Sequence, residues 1–279
     1  MTGVPATGLP SHTIAIIGGG VMGRAFCQGL LGSGLSAPDQ ITVVEPEAEK
    51  REALQTELGV GCLADGRDAA PQADLLLLAV KPQVFAAVSE RLRGRVRPEA
   101  LVISIMAGIP VSVIADALAH DLVVRAMPNA AAQVRQSTTV WYAAAAVPQP
   151  LRAEAAVLLS GVGLAIEVQD EAMLDRATAV SGSGPAYVCL LAEALVEGAV
   201  AIGLYRDLAL RLVAGTLAGT AALLAQPGAH PSLVRENITS PAGTTAAGLL
   251  ALEARAFRAA CIEAVQAAHT RTKELGSTR

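Results

Sequence analysis

The stretch Thr13-Ile-Ala-Ile-Ile17-Gly-Gly-Gly20-Val-Met-Gly23 constrains the chain more than any other, because a run of branched apolar residues passes straight into glycines. Gly18, Gly20 and Gly23 are spaced G-x-G-x-x-G. The first permits a sharp turn, the second lets an anion come against bare backbone, and the third lets the next helix lie close on the strand. Val21–Leu31 continues with apolar residues at helical spacing, so free N–H groups and the positive end of a helix dipole face the turn. About 20 residues on, a second apolar run, Ile41-Thr-Val-Val, closes in Glu45, an acid placed to hydrogen-bond a ribose hydroxyl. This order of elements predicts a dinucleotide site.

With 279 residues the chain is long enough for two domains. A net charge of −4 gives no footing for a nucleic acid or an anionic membrane, and the basic run Arg91–Arg97 reads as a solvated helix end. Ala186–Leu204, the longest apolar candidate for a membrane span, carries Glu193 and Glu197, so no membrane segment is expected. Met1–His12 reads as a disordered tail, without the basic flank and apolar core of a signal peptide. Cys27, Cys62, Cys189 and Cys261 form no C-x-x-C pair and read as buried free thiols in a reducing cytoplasm. No Cys/His cluster has metal-ligand spacing, so no metal is expected.

Short apolar runs alternate with helical segments as far as Val168. Strands are predicted at Thr13–Ile17, Ile41–Glu45, Val60–Leu63, Leu75–Val80, Leu101–Ile105, Leu122–Met127, Ser137–Ala143 and Leu164–Val168. Several are apolar throughout, as strands covered on both faces must be, so the fold class is α/β with a doubly wound, mostly parallel sheet. Glu47–Leu58 reads as a helix stopped by Gly59. Beyond Val168 only helices are predicted, at Asp170–Val180, Pro185–Leu204, Arg206–Ala225 and Leu249–Leu275. The expected domains are therefore 1–168, dinucleotide-binding, and 169–279, all-helical. Small residues such as Gly215-x-x-x-Gly219 would let helices pack closely, and predict a homodimer through this second domain.

In open α/β sheets ligands bind beyond the carboxyl ends of the strands. The loops there are Ala79-Val80-Lys81-Pro82, then Ile105-Met106-Ala107 with Gly108, then Pro128-Asn129. Lys81 reads either as a cofactor contact or as an ordinary surface lysine, and Pro128-Asn129 either as a site or as a turn. Ser181–Tyr187 and Ser240–Thr245 are hydroxyl- and glycine-rich loops that open helices; they serve as N-caps or as carboxylate cradles.

Taken together, Ile17–Gly23, Ala79–Pro82, Ser104–Gly108, Arg125–Asn129, Ser181–Tyr187 and Ile238–Thr245 resemble the pyrroline-5-carboxylate reductase family over nearly the whole chain. The resemblance implies a Rossmann-type domain followed by a helical dimerisation domain, an active site completed by a partner chain, and dimers that often assemble into a decamer. It implies that Ile17, Gly18, Gly19, Gly20, Val21, Met22 and Gly23 bind the pyrophosphate of NADPH or NADH. Ala79, Val80, Lys81, Pro82, Ile105, Met106 and Ala107 would take the nicotinamide half, and Asn237 would also touch the cofactor. Glu171, Gly243, Thr244 and Thr245 would line the site for 1-pyrroline-5-carboxylate and L-proline, with Thr245 and Ser240 as the catalytic candidates. Reading another cyclic imino acid as substrate, or the chain as a non-catalytic dinucleotide-binding protein, are the alternatives.

Four places depart from that family's pattern. Glu45-Pro46-Glu47 stands where a 2′-phosphate is often accepted, which favours NADH, although Lys50 and Arg51 lie close in sequence. Gly66 replaces a common Asn, and Ala130-Ala131 follows Asn129 in place of Thr-Pro. Ala242 stands where Gly is typical, which matters if its backbone needs φ > 0.

Overall fold

The computed structural model describes Leu9 and residues 12–277. Most of the expected tail lies outside the described residues. Leu9 departs from that expectation: it is buried, and its N–H donates to the Leu35 carbonyl at 2.9 Å.

All eight expected strands form, each within two residues of its predicted ends: β1 Ile14–Ile17, β2 Ile41–Val44, β3 Gly61–Leu63, β4 Leu75–Leu78, β5 Leu101–Ser104, β6 Val123–Met127, β7 Ser137–Ala143 and β8 Gly163–Glu167. They make one sheet in the order β3-β2-β1-β4-β5-β6-β7-β8, parallel except where β7 runs against β6. In β1, β4 and β5 every residue is buried, because helices cover both faces. The helices are α1 Val21–Gly32, α2 Ala48–Leu58, α3 Gly66–Ala69, α4 Phe85–Leu92, α5 Val111–Leu118 and α6 Gln149–Ser160. One apolar cluster centres on Ile16, Phe26, Leu77 and Trp141, the other on Leu76, Leu78, Ile114 and Val123, one on each side of the sheet. Gly59 ends α2 in the left-handed conformation, at φ +70°.

The strand pattern stops at β8, but this packed unit continues to Ser183 and takes in the chain from Ala268. It continues because α7, Ala172–Ala177, lies on β7 and is tied by Arg125 to Glu171 and Asp175. The expected loop at Ser181 does not form. Thr178–Gly182 is a π-helical turn instead, with the Ser183 N–H on the Thr178 carbonyl at 2.9 Å. Pro185 has no N–H to give the carbonyl four residues before it, and the Asn129 side chain donates to that Ser181 oxygen at 3.0 Å.

The second unit, Gly184–Ala267, is helical: α8 Gly184–Ala201, α9 Arg206–Leu224, α10 Pro231–Asn237, α11 Thr244–Glu253 and the start of α12, Phe257–Ser277. The single helix expected over Leu249–Leu275 is two, separated where Ala256 takes φ +54°. Val196 and Ala209 are the only buried hydrophobics of this unit, while Leu190, Ile202, Tyr205 and Leu250 are exposed. Contrary to expectation, Cys189 and Cys261 are exposed too, because they lie on helix faces that one chain leaves uncovered. The expectation of no membrane-length segment also needs correction: Ala172–Ala201 and Arg206–Leu224 are long and apolar enough by length and composition.

Candidate active site

The glycine turn follows β1 and performs three separate jobs. Gly18 sits at φ +111°, where a side chain would meet the Ala79 carbonyl at 2.8 Å. A Cβ on Gly23 would run into the Gly18 backbone, so only glycine lets α1 start this close to the strand. Gly20, by contrast, has nothing within 4 Å of its Cβ position. The open space before it lies at the start of α1, whose first N–H groups lack intrahelical partners. That is the cradle a pyrophosphate requires and a methyl group would fill.

Glu45 follows directly on β2, almost completely buried. Its Oε2 accepts the Gly19 N–H and its Oε1 the Glu47 N–H, both at 3.1 Å. The carboxylate is thus fixed against the glycine turn, with lone pairs left for a hydroxyl. The two neighbouring cations are committed elsewhere. Arg51 donates to the carbonyls of Glu45 and Pro46 at 2.8 Å, and Lys50 pairs with Glu47, which raises the lysine's pKa. Beside this acid opens a cleft of about 310 Å³ lined by Ile17, Val44, Pro46, Gly66, Val80 and Leu92, apolar and suited to a flat base. A Cβ on Gly66 would press on the Cδ2 end of the Leu92 side chain at 2.9 Å. Asp65 at the rim takes Arg67 and Arg91, and the Arg67 hydrogen bonds hold its carboxyl at about 2.

Ala79–Lys81 follows β4, where Pro82 opens a single turn that leads into α4; Lys81 is exposed. Ile105–Ala107 follows β5, with the Met106 N–H on Ser104 Oγ at 3.3 Å and Gly108 at φ +71°. Both loops, the glycine turn and Glu45 therefore lie at the carboxyl edge of one sheet, where the crossover order reverses around β1 and β4. These residues fit a nicotinamide dinucleotide.

Glu171 stands just before α7, and its Oε1 accepts from Arg125 at 3.0 Å and from the Val111 N–H at 2.9 Å. In the sequence Arg125 stands out only as part of the Arg125–Asn129 motif. The signal that could have found it is a lone charge inside an otherwise apolar strand, which requires buried acceptors.

In the helical unit Ser240, Gly243, Thr244 and Thr245 gather at the start of α11. The Gly243 N–H returns to the Ser240 carbonyl at 3.1 Å, and the first intrahelical acceptor, the Gly243 carbonyl, is used by Ala247. The N–H groups of Thr244, Thr245 and Ala246 thus lead the helix without intrahelical partners. Thr245 is half-buried; Ser240 and Thr244 are exposed. Ala242 has φ +56°, the conformation that glycine would favour. Asn237 ends α10 and lines a separate hollow with Leu223, His230 and Ile238. Among the described residues no group of three His, Cys, Asp or Glu side chains could hold a metal.

Comparison with known proteins agrees with this geometry. Residues 171–275 match the family description "Pyrroline-5-carboxylate reductase dimerisation", and residues 13–108 match "NADP oxidoreductase coenzyme F420-dependent". A pyrroline-5-carboxylate reductase of Synechocystis is 43% identical over 95% of this chain and 99% of its own length. The crystallised pyrroline-5-carboxylate reductase of Coxiella burnetii superposes with a TM-score of 0.90 at 35% identity, covering 95% of this chain and 98% of that one. A Plasmodium falciparum pyrroline carboxylate reductase solved with NADP bound gives 0.84 at 26% identity, covering 95% and 98%. On identity, coverage and fold, the chain belongs to the pyrroline-5-carboxylate reductase family.

Proposed function

We propose that the protein reduces 1-pyrroline-5-carboxylate to L-proline, the last step of proline synthesis, as a cytoplasmic homodimer that assembles further into a decamer. The observation that carries this reading is an open glycine cradle backed by a buried acid, in a chain of this family that also bears a hydroxyl-rich helix start. The bound coenzyme, when reduced, supplies hydride to the imine carbon. The protein's part is to bind, orient and exclude water.

The substrate carboxylate is held by the leading N–H groups of α11 and the Thr245 hydroxyl, an anion at a helix start. A cyclic imine is electrophilic once protonated, so no strong acid is required. Thr245 hydrogen-bonds the ring nitrogen, Ser240 and Gly243 shape the loop, Glu171 lines the site and water delivers the proton. NADH is preferred to NADPH, because the fixed Glu45 carboxylate accepts a free 2′-hydroxyl and repels a 2′-phosphate. Removing one hydrogen bond to the reacting ring costs about 1 to 2 kcal/mol, so Thr245→Ala lowers kcat/KM about tenfold. An unchanged kcat/KM would remove Thr245 from this role.

A second reading, that the substrate is another cyclic imino acid, is favoured by one observation. Ala242 places a methyl group on the carboxylate loop at a left-handed position. A higher kcat/KM with a six-membered imine than with the five-membered one would establish it.

A further inference from the structure

Arg125 stands in β6 between Val124 and Ala126, and its side chain is 6% exposed. A guanidinium held there needs acceptors. Nη1 reaches Glu171 Oε1 at 3.0 Å and Nη2 reaches Asp175 Oδ1 at 2.9 Å. The Glu171 oxygen that Arg125 holds also accepts the Val111 N–H, the first donor of α5. Pro110, the residue before α5, has no side chain that could cap the helix, so α5 borrows a carboxylate 60 residues away. The turn between β5 and α5 is thereby pinned at both ends, by Ser104 Oγ at Met106 and by Glu171 at Val111.

We propose that Arg125 is a positioning residue: by holding Glu171 on the Val111 N–H it sets the Ile105–Ala107 turn on which the nicotinamide ring rests. This rests on the assignment of that turn to the nicotinamide half. The two arms of the guanidinium divide the work. The Asp175 arm anchors α7, and the Glu171 arm fixes the turn.

The test uses full-length R125K, E171A, E171Q and D175N, each checked for folding by the fluorescence of Trp141, the only tryptophan. Lysine offers one ammonium and no fork, so it cannot serve both carboxylates in this geometry. NADH should bind every variant with Kd within about threefold of the parent, because the glycine turn and Glu45 are untouched. The emission gained by the nicotinamide on binding should fall in R125K and E171A, persist in D175N, and return in part in E171Q, which keeps an oxygen for Val111. With the imine, kcat should fall about tenfold in R125K at nearly constant imine KM and hold in D175N, while E171A, which also loses a residue lining the site, should lose kcat and gain in KM together.

R125K that folds with parental emission and kcat would overturn the proposal, as would an equal loss in D175N. A rise in imine KM with parental emission and kcat in E171A would leave Glu171 a substrate contact only and overturn it too. Failure of the parent protein to reduce the imine would sink the proposed substrate, while the emission of the binary NADH complex would still decide the role of Arg125.

Discussion

Alanine substitution at Gly20 and at Gly23 should separate binding from folding within one motif. At Gly23 the new methyl meets the Gly18 backbone, with the carbonyl carbon at 3.1 Å and Ile16 Cγ2 at 3.3 Å. Backbone cannot rotate out of the way, so α1 must move off the turn, and the cost belongs at the upper end of overpacking, about 3 kcal/mol. For a unit of this size that lowers Tm by about 10 °C. At Gly20 the methyl meets nothing within 4 Å, and φ −68° suits alanine. The fold loses at most about 1 kcal/mol, from a poorer helix cap. The methyl does fill the anion's place, and losing one charge-assisted hydrogen bond, about 1.5 to 3 kcal/mol, weakens NADH about 10- to 100-fold. Thermal melts and NADH titration by fluorescence read both effects. Gly20→Ala that binds NADH like the parent, or Gly23→Ala that melts like it, would refute the reasoning.

Three further outcomes follow from particular residues. Ala242→Gly should raise stability by about 0.5 to 1 kcal/mol, since relief of a left-handed alanine outweighs glycine's extra chain entropy; a lower Tm would show that the loop does not need that conformation. Because Val196 and Ala209 alone are buried among the hydrophobics of residues 184–267, the chain should sediment as an oligomer, with Tm rising by about 1 °C per tenfold increase in protein concentration; a concentration-independent Tm and a monomer mass would contradict this. Asp65 is held at about 2 by the Arg67 side-chain and backbone hydrogen bonds. A depressed carboxyl stabilises above its unfolded value, near about pH 4, and loses that contribution as pH falls through 2, here at most about 1 kcal/mol because the pair is near the surface. The stability gap between the parent and Asp65→Asn should therefore close between about pH 4 and pH 2.

The sheet was legible because each strand carries its own evidence. Leu75–Leu78 is apolar on both faces, and only a strand between two helical layers needs that. The glycine turn was legible as well, since three glycines at fixed spacing meet three different steric demands. Ser181-Gly-Ser-Gly misled because its composition signals a turn, whereas what decides its conformation is an acceptor left free near Pro185 and a donor on Asn129, 52 residues away. The break at Ala256 has no local signal, alanine being the strongest helix former. The tie from Arg125 through Glu171 to Val111 joins β6, α7 and α5, and pairwise contacts of that kind are invisible to periodicity, although the buried charge itself was readable. Exposure of Leu190, Cys189 and Cys261 was illegible for another reason: apolar pattern predicts that a face is covered, and does not say by which chain.

The most direct test of the account is the initial rate of purified protein on 1-pyrroline-5-carboxylate with NADH and with NADPH at equal concentration. Oxidation of coenzyme that depends on the imine, is faster with NADH, and shifts toward NADPH in Glu45→Gln is the predicted result. No imine-dependent oxidation with either coenzyme would contradict the assigned reaction, and faster turnover with NADPH would contradict the role given to Glu45.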